Sequence, residues 1–283
     1  LRGPPGGYEK MSCYYPTAVK NIGYTDEGKQ ILTTSWKGSQ LDYDFLRPCG
    51  RCLGCTSQSR LDWSIRLYHE SKLHEQAAML TLTYSDENLP ADGKLEYHDI
   101  QVFLKRLRRD MNTQLRYYVA GEYGEKTGRA HWPMVLYGAD YLDGATRKNN
   151  SSSNTSYESN HIDQMWGKGG TDIIPLSPAS CAYAAGYVNK KAGEEGIFRQ
   201  SRKPPIAKTW VEANLDYLIS RSIDDGLISI GYNRHPIPRK YLEWFPEELL
   251  EIAERQKEAA EMKTRAAEAT AIAITADNLS RNE

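Results

Sequence analysis

The chain contains no run of eighteen apolar residues, so no segment reads as a membrane-crossing helix. Its opening, Leu1-Arg-Gly-Pro-Pro-Gly-Gly7, lacks the apolar core of a secretory signal, and a cytoplasmic protein is expected. Basic charge is not in excess either. With 36 Lys and Arg against 37 Asp and Glu, the formal net charge is -1, which excludes a surface that binds polyanions everywhere and confines any nucleic-acid site to a local patch. No heptad stripe is sustained, which argues against a coiled coil, and no aromatic strand motif of the RNP kind supports an RNA-binding sheet. What is present is ordinary for a globular chain of 283 residues, with 40% hydrophobic and 26% charged residues, enough for one large domain or two small ones.

Met11 reads as a natural start, and Gly/Pro-rich residues 1–10 read as a disordered extension. Leu61, Ile65 and Tyr68, with Trp63, Leu67 and Leu73, recur at helical period over residues 61–76, and Met79 to Tyr84 alternates as a strand does. Ser85 to Pro90 has turn chemistry. Asp99 is then a candidate cap for a helix with Ile100, Phe103, Leu104 and Leu107 on one stripe and Lys105, Arg106, Arg108 and Arg109 outside it. Residues 115–120 and 131–137 read as strands of an antiparallel hairpin joined through Gly121 to Gly128. Residues 143–160 read as a Ser/Asn-rich loop, and Ser177-Pro178 as the start of a helix. Beyond Arg199 the pattern is mixed up to Pro246, and residues 247 to about 273 read as an Ala/Glu/Lys-rich helix with a polar tail.

Tyr183 and Tyr187 are four residues apart, which on a helix puts both phenols on one face with Lys190 and Lys191 one turn further on. By spacing alone, core packing explains such a pair more often than chemistry does. A phenol with a pKa of about 10 is ionised at roughly one part in a thousand at neutral pH, so a tyrosine that attacks phosphorus needs nearby cations or a metal-polarised phosphate. Basic patches exist at Lys105–Arg109, at Lys190-Lys191, and at Arg199, Arg202, Lys203 and Lys208. Cys49, Cys52 and Cys55 at x2 spacing, with Cys13 as fourth, match a tetrahedral structural zinc site, with a metal-free reduced turn carrying equal weight. Disulfides are disfavoured in a reducing compartment, and Cys181 reads as a packed thiol. Tyr84, Tyr123 and Trp132 are candidates for stacking on unpaired bases.

The ordered set Cys49-Gly-Arg-Cys-Leu-Gly-Cys55, Trp63 with Arg66 and Glu70, Leu80-Thr-Leu-Thr-Tyr84 with Leu89-Pro90, Phe103 to Arg108, Arg116-Tyr-Tyr with Gly121-Glu-Tyr-Gly124, Gly128-Arg-Ala-His131, Tyr187-Val-Asn-Lys-Lys191, Ser201-Arg-Lys-Pro204 and Pro238-Arg-Lys-Tyr241 resembles the replication initiators of gokushovirus-like Microviridae, members of the HUH endonuclease superfamily. The resemblance runs from about Cys13 to Trp244. It implies an α+β fold with a central antiparallel sheet of about five strands flanked by helices, HUH or RRM-like, over residues 11–245, with 246–283 a C-terminal helical extension. It also implies a metal-dependent tyrosine endonuclease that nicks and rejoins single-stranded origin DNA through a 5′-phosphotyrosyl bond to start rolling-circle replication in the cytoplasm of a bacterial host. Tyr187 is the leading nucleophile, Tyr183 the second, and Lys190 and Lys191 assist. Mg or Mn is the implied cofactor, with His131 and Glu122 as ligands. Lys105, Arg106, Arg108, Arg109, Arg129, Arg202 and Lys203 are the DNA-contact candidates, and the host replication helicase and polymerase are the expected partners, with no membrane.

The chain departs from the superfamily motif of histidine, hydrophobic residue, histidine: it reads His131-Trp132-Pro133, and Pro supplies neither a ligand nor a backbone donor. Ala130 and Thr56 stand where Pro and Arg are expected, and Pro205 and Ala207 where Gly is expected. The alternative function is therefore a non-catalytic DNA-binding module that retains the fold.

Overall fold

The computed structural model describes residues 13–37, 42–90, 93–124, 128–148, 155–187, 197–222, 224–230 and 233–256, with Glu258. Residues 1–10 and most of the expected C-terminal helix lie outside the described residues, although 250–256 are helical. Contacts divide the chain into two compact units, one of residues 1–58, 223–226 and 250–283, the other of 59–222 and 227–249.

In the first unit, β1 (Thr17–Tyr24) pairs antiparallel with β2 (Gln30–Thr33) and with β3 (Phe45–Arg47). The β1–β2 turn closes where Gly28, at φ +77°, donates its N–H to the Thr25 carbonyl at 2.8 Å. The helix α1 (Leu53–Ser71) begins here and continues into the second unit. It starts eight residues earlier than its apolar period predicts, because Leu53 to Arg60 is polar and carries no stripe.

The second unit continues with β4 (Ala77–Thr83), α2 (Tyr97–Asp110), β5 (Arg116–Ala120), β6 (Glu122–Tyr123), β7 (Ala130–Tyr137), β8 (Thr146–Arg147), β9 (Tyr157–Glu158), α3 (Asn160–Trp166), β10 (Thr171–Pro175) and α4 (Pro178–Gly186). Then follow β11 (Phe198–Gln200), α5 (Lys208–Ala213), α6 (Leu215–Ser222), β12 (Leu227–Ile230), β13 (Asn233–Pro236) and α7 (Arg239–Trp244). Strands β11-β5-β7-β4-β10-β9-β8 form one antiparallel sheet, with β6 also on β7. The fold is thus α+β, as expected. The sheet has eight strands rather than about five, because β6, β8 and β9 are two-residue strands too short to show alternation. Residues 199–246 are more ordered than their mixed pattern suggests, being built from elements of three to eight residues.

Alternation along β7 sorts the core. Trp132, Met134 and Leu136 join Leu80, Leu82 and Val119 under Ile100, Phe103, Leu104 and Leu107 of α2 and Ile162 and Trp166 of α3. The opposite face presents His131, Pro133, Val135 and Tyr137, in register with Thr83, Thr81, Met79 and Ala77 of β4. Asp99 does not cap α2. Glu96 holds the N-cap position without a side-chain bond, and Asp99, buried in the first turn, accepts the Tyr84 hydroxyl at 2.9 Å and pairs with Lys168 at 3.1 Å.

On the second face α1 is tied down by one carboxylate. Glu70 is 1% exposed; it accepts from the Arg116 guanidinium, from His74 Nε2 at 3.2 Å and from the Ala207 N–H at 2.6 Å. These partners hold its carboxyl below the usual range against the desolvation that raises it. Arg116 also donates to the Pro204 carbonyl at 3.0 Å, and Arg66 to that of Ile206 at 3.4 and 3.3 Å. Ala207 sits at φ +70°, in the left-handed region, which is the physical reason Gly suits that position.

His69 stacks on Trp210 at 3.7 Å and bonds the Tyr241 hydroxyl at 2.9 Å. Burial, with a smaller push from Lys72, lowers its imidazole from 6.5 to about 3. The folded chain holds it neutral while the unfolded chain takes up a proton below about pH 6.5, so its contribution is complete above that pH and is lost as pH falls toward the folded value. Urea unfolding should therefore lose about 2 kcal/mol through this residue between about pH 6.5 and 5. His69→Gln should flatten that part of the slope; an unchanged slope would remove His69 as its source.

Candidate functional site

The helix that carries the tyrosines starts sharply. Ser177 and Ser180 form a capping box at 3.1 and 2.7 Å, and Pro178 fills the first turn. Helix α4 runs from there to Gly186, with Tyr187 as its C-cap. Its buried residues, Cys181, Ala184 and Ala185, are small enough to lie close on the face of β7 and β4 that bears Val135 and Tyr137. Burial pushes the Cys181 thiol up to about 12, consistent with a packed thiol. The Tyr118 hydroxyl donates to the Ala184 carbonyl at 3.5 Å.

Tyr183 is 54% exposed and Tyr187 half-buried, with ring centroids 5.1 Å apart, edge to face. The i, i+4 reading of this pair holds, and Tyr183 is not core. Lys190 and Lys191 lie outside the described residues. A cation that sequence reasoning missed stands beside the helix: Arg60 of α1 donates Nε to the Ala182 carbonyl at 3.1 Å and lies against Gly186. It is exposed and 122 residues distant in the chain, so no local pattern pointed to it.

The same sheet face carries the expected cation ligands. Glu122 of β6 lies opposite His131 of β7, as the hairpin predicted. Their Oε2 and Nε2 are 3.3 Å apart, and His131 Nδ1 is 3.2 Å from the Arg129 carbonyl oxygen. Both ring nitrogens thus face acceptors, which suits either an imidazolium or a cation in place of the Nε2 proton. The separation is close to the roughly 3 Å between neighbouring ligands of an octahedral cation, so one imidazole and one carboxylate fit Mg or Mn, which take their remaining oxygens from phosphate and water. Pro133 lies opposite Thr81, and Thr81 opposite Asp172, whose carboxylate pairs with Lys148 at 2.9 Å. The motif's second position therefore carries no ligand.

The expected DNA contacts do not converge on this face. Lys105, Arg106 and Arg109 are exposed on α2, across the sheet from the tyrosines. Arg108 is half-buried, bonding the Leu115 carbonyl at 3.3 Å and lying over Tyr117. Arg129 bonds the Tyr84 carbonyl at 2.8 Å and pairs with Asp86 at 2.6 Å. Arg202 and Lys203 are exposed in the loop gripped by Arg66 and Arg116. Two stacking candidates are corrected. Trp132 is fully buried and donates to the Tyr84 hydroxyl at 2.9 Å, and Tyr84 is 3% exposed, so neither can meet a base. Tyr123 is half-buried and accepts the Leu95 N–H at 3.1 Å.

An antiparallel sheet with a two-tyrosine helix laid on one face and a basic helix on the other defines the structural class. The family model for replication-associated protein ORF2 matches residues 77–192, from β4 through α4. The chain is 30% identical over 279 residues to replication-associated protein VP4 of Bdellovibrio phage phiMH2K, covering 90% of this chain and 86% of that protein. It is 24% identical over 284 residues to replication-associated protein ORF2 of Spiroplasma virus 4, covering 90% and 88%. To replication-associated protein ORF4 of Chlamydia phage 1 it is 32% identical over 162 residues, covering 53% and 39%. No solved structure matches. The chain belongs to the phage replication-associated protein family, as its resemblance to the Microviridae initiators implied. Among the described residues no helix is long and apolar enough to cross a membrane.

Exposure orders the phenols chemically. Burial raises the Tyr84, Tyr118, Tyr137 and Tyr241 hydroxyls above the usual range. Tetranitromethane at mildly alkaline pH should nitrate Tyr183 well before these four, read by peptide mass spectrometry. Nitration of Tyr137 or Tyr241 at an equal rate would contradict the packing of α4 and α1.

Proposed function

We propose that this chain is a replication initiator that nicks and rejoins single-stranded DNA at a phage origin through a 5′-phosphotyrosyl intermediate, starting rolling-circle synthesis in the bacterial host. The observation that carries this reading is that Tyr183 and Tyr187 share one side of the sheet with the Glu122–His131 pair. A phenolate oxygen attacks the scissile phosphorus, the bond from phosphorus to the 3′ oxygen breaks, and that oxygen takes up a proton to leave as a free 3′-hydroxyl. The phenolic proton goes to solvent. Reversal with the second tyrosine rejoins the finished circle.

Glu122 and His131 would hold the divalent cation, which when bound polarises the phosphate and offsets the charge that develops in displacement. Arg60, with Lys190 and Lys191, supplies positive charge near the phenols, lowering the cost of the phenolate. Arg202 and Lys203 add phosphate contacts, and the α2 cations suit a more distant stretch of DNA. The host helicase and polymerase would extend the exposed 3′ end. Pro133 favours a second reading, a DNA-binding module without catalysis, because it leaves one imidazole where the motif has two.

Labelled single-stranded origin DNA incubated with the protein and Mn should give a covalent adduct on a denaturing gel. Tyr183→Phe with Tyr187→Phe should reduce it more than about 100-fold, with Tyr187→Phe alone the more damaging single change. Unchanged adduct in the double variant would end the tyrosine assignment, and DNA binding without any wild-type adduct would select the second reading.

Restoring the second imidazole tests the cation site separately. Pro133→His should tighten Mn binding by about tenfold or more and raise nicking with it. No gain in either would count against a cation at this face.

A further inference from the structure

Residues 13–58 form a three-stranded sheet and the first turns of α1 with almost no apolar interior. Among the described residues of this stretch, the buried side chains are Cys13, Val19 and Cys55. Tyr14, Tyr15, Ile22, Tyr24 and Phe45 are exposed. So short a stretch, with one buried aliphatic side chain, falls in the size range where hydrophobic burial rarely suffices and a covalent or metal cross-link does the holding.

The cross-link is not a disulfide, since all five cysteines are free thiols. Four of them are gathered at one point: the Sγ atoms of Cys13, Cys49, Cys52 and Cys55 all lie within 4.8 Å of one another, and those of Cys49 and Cys55 are 4.0 Å apart. A disulfide requires about 2.05 Å, whereas four sulfurs bound to zinc at about 2.3 Å stand roughly 3.8 Å apart along the edges of a tetrahedron. The cluster has the second spacing.

The backbone is arranged for thiolates. Arg51 and Cys52 donate their N–H groups to Cys49 Sγ at 3.4 and 3.3 Å, Cys49 donates to Cys13 Sγ at 3.2 Å, and Tyr14 donates to Cys52 Sγ at 3.3 Å. Donors aimed at sulfur stabilise negative charge there, which four bare thiols do not require. Gly50, at φ +74°, supplies the left-handed residue that turns the Arg51 and Cys52 amides back onto Cys49. Cys55 comes from the first turn of α1, and Cys13 from the residues before β1, so the cluster joins the two ends of the stretch.

We propose that Cys13, Cys49, Cys52 and Cys55 bind one structural zinc ion that holds the N-terminal unit together. Four thiolates fill a tetrahedral shell and leave no open position, so this ion takes no part in phosphoryl chemistry. It is separate in residues and in ligand chemistry from the Glu122–His131 pair, whose oxygen and nitrogen donors suit a harder cation.

Metal content of the full-length protein, purified without chelator and measured by inductively coupled plasma mass spectrometry, should be about one zinc per chain. Cys52→Ser should remove most of it, and Cys181→Ser should leave it intact. Should Cys52→Ser fail to fold, wild-type protein alone suffices: a mercurial reagent should release one zinc, detected with a chromophoric chelator, as four thiols react. Cobalt replacement should give the visible bands of tetrahedral thiolate coordination. Zinc-free wild-type protein that acquires no such spectrum on reconstitution under reducing conditions, stoichiometric iron in place of zinc, or equal loss of metal from Cys181→Ser would each overturn the proposal.

Discussion

A strand can present its side chains only alternately to two faces, and in β7 that constraint decides the organisation of the whole second unit. One set, Trp132, Met134 and Leu136, meets α2 and α3 and makes the core. The other, His131, Pro133, Val135 and Tyr137, meets β4's outward set and lies under α4. A one-residue slip would exchange the two sets, burying an imidazole and exposing an indole. The indole forbids it. Trp132 donates to Tyr84, and Tyr84 donates to Asp99, a chain of buried hydrogen bonds satisfied only in this register.

Given that register, the second face needs support from outside the sheet, and Glu70 provides it. A carboxylate so deeply buried is tolerable only when its lone pairs are used, and here they join α1, β5 and the turn before α5. Arg66, Glu70 and Arg116 are scattered through the sequence and belong to the ordered motifs of the resemblance. Their convergence on residues 204–207 shows that much of that resemblance records scaffold. The scaffold in turn sets α1 beside α4, which brings Arg60 to the tyrosine helix.

Features governed by local chemistry were legible in the chain. The alternation of β4 and β7, the Ser177-Pro178 start of α4, the hairpin that sets Glu122 against His131, and the grouping of three cysteines all follow from spacing and turn residues. What escaped depends on distant partners. Asp99 looked like a cap because its neighbours are polar, but Tyr84 and Lys168 claim it from elsewhere in the chain. Trp132 and Tyr84 looked available for stacking because nothing local hides an aromatic; each is hidden by the other and by Trp166. The α2 cations cluster in sequence with no indication of which sheet face they would occupy, and that is decided by the apolar stripe on the other side of the same helix.

The capping box at Ser177 and Ser180 fixes where α4 begins, and a helix counted from a fixed origin turns about 100° with each residue. The directions of both phenols are therefore set by arithmetic along nine residues. Strand positions such as 131 and 133 can be exchanged one at a time with the fold intact, and Pro133 is an instance. A single insertion between Ser177 and Tyr183 has no such latitude: it would swing both hydroxyls off the face together, so the helix can vary in composition while its length stays constant.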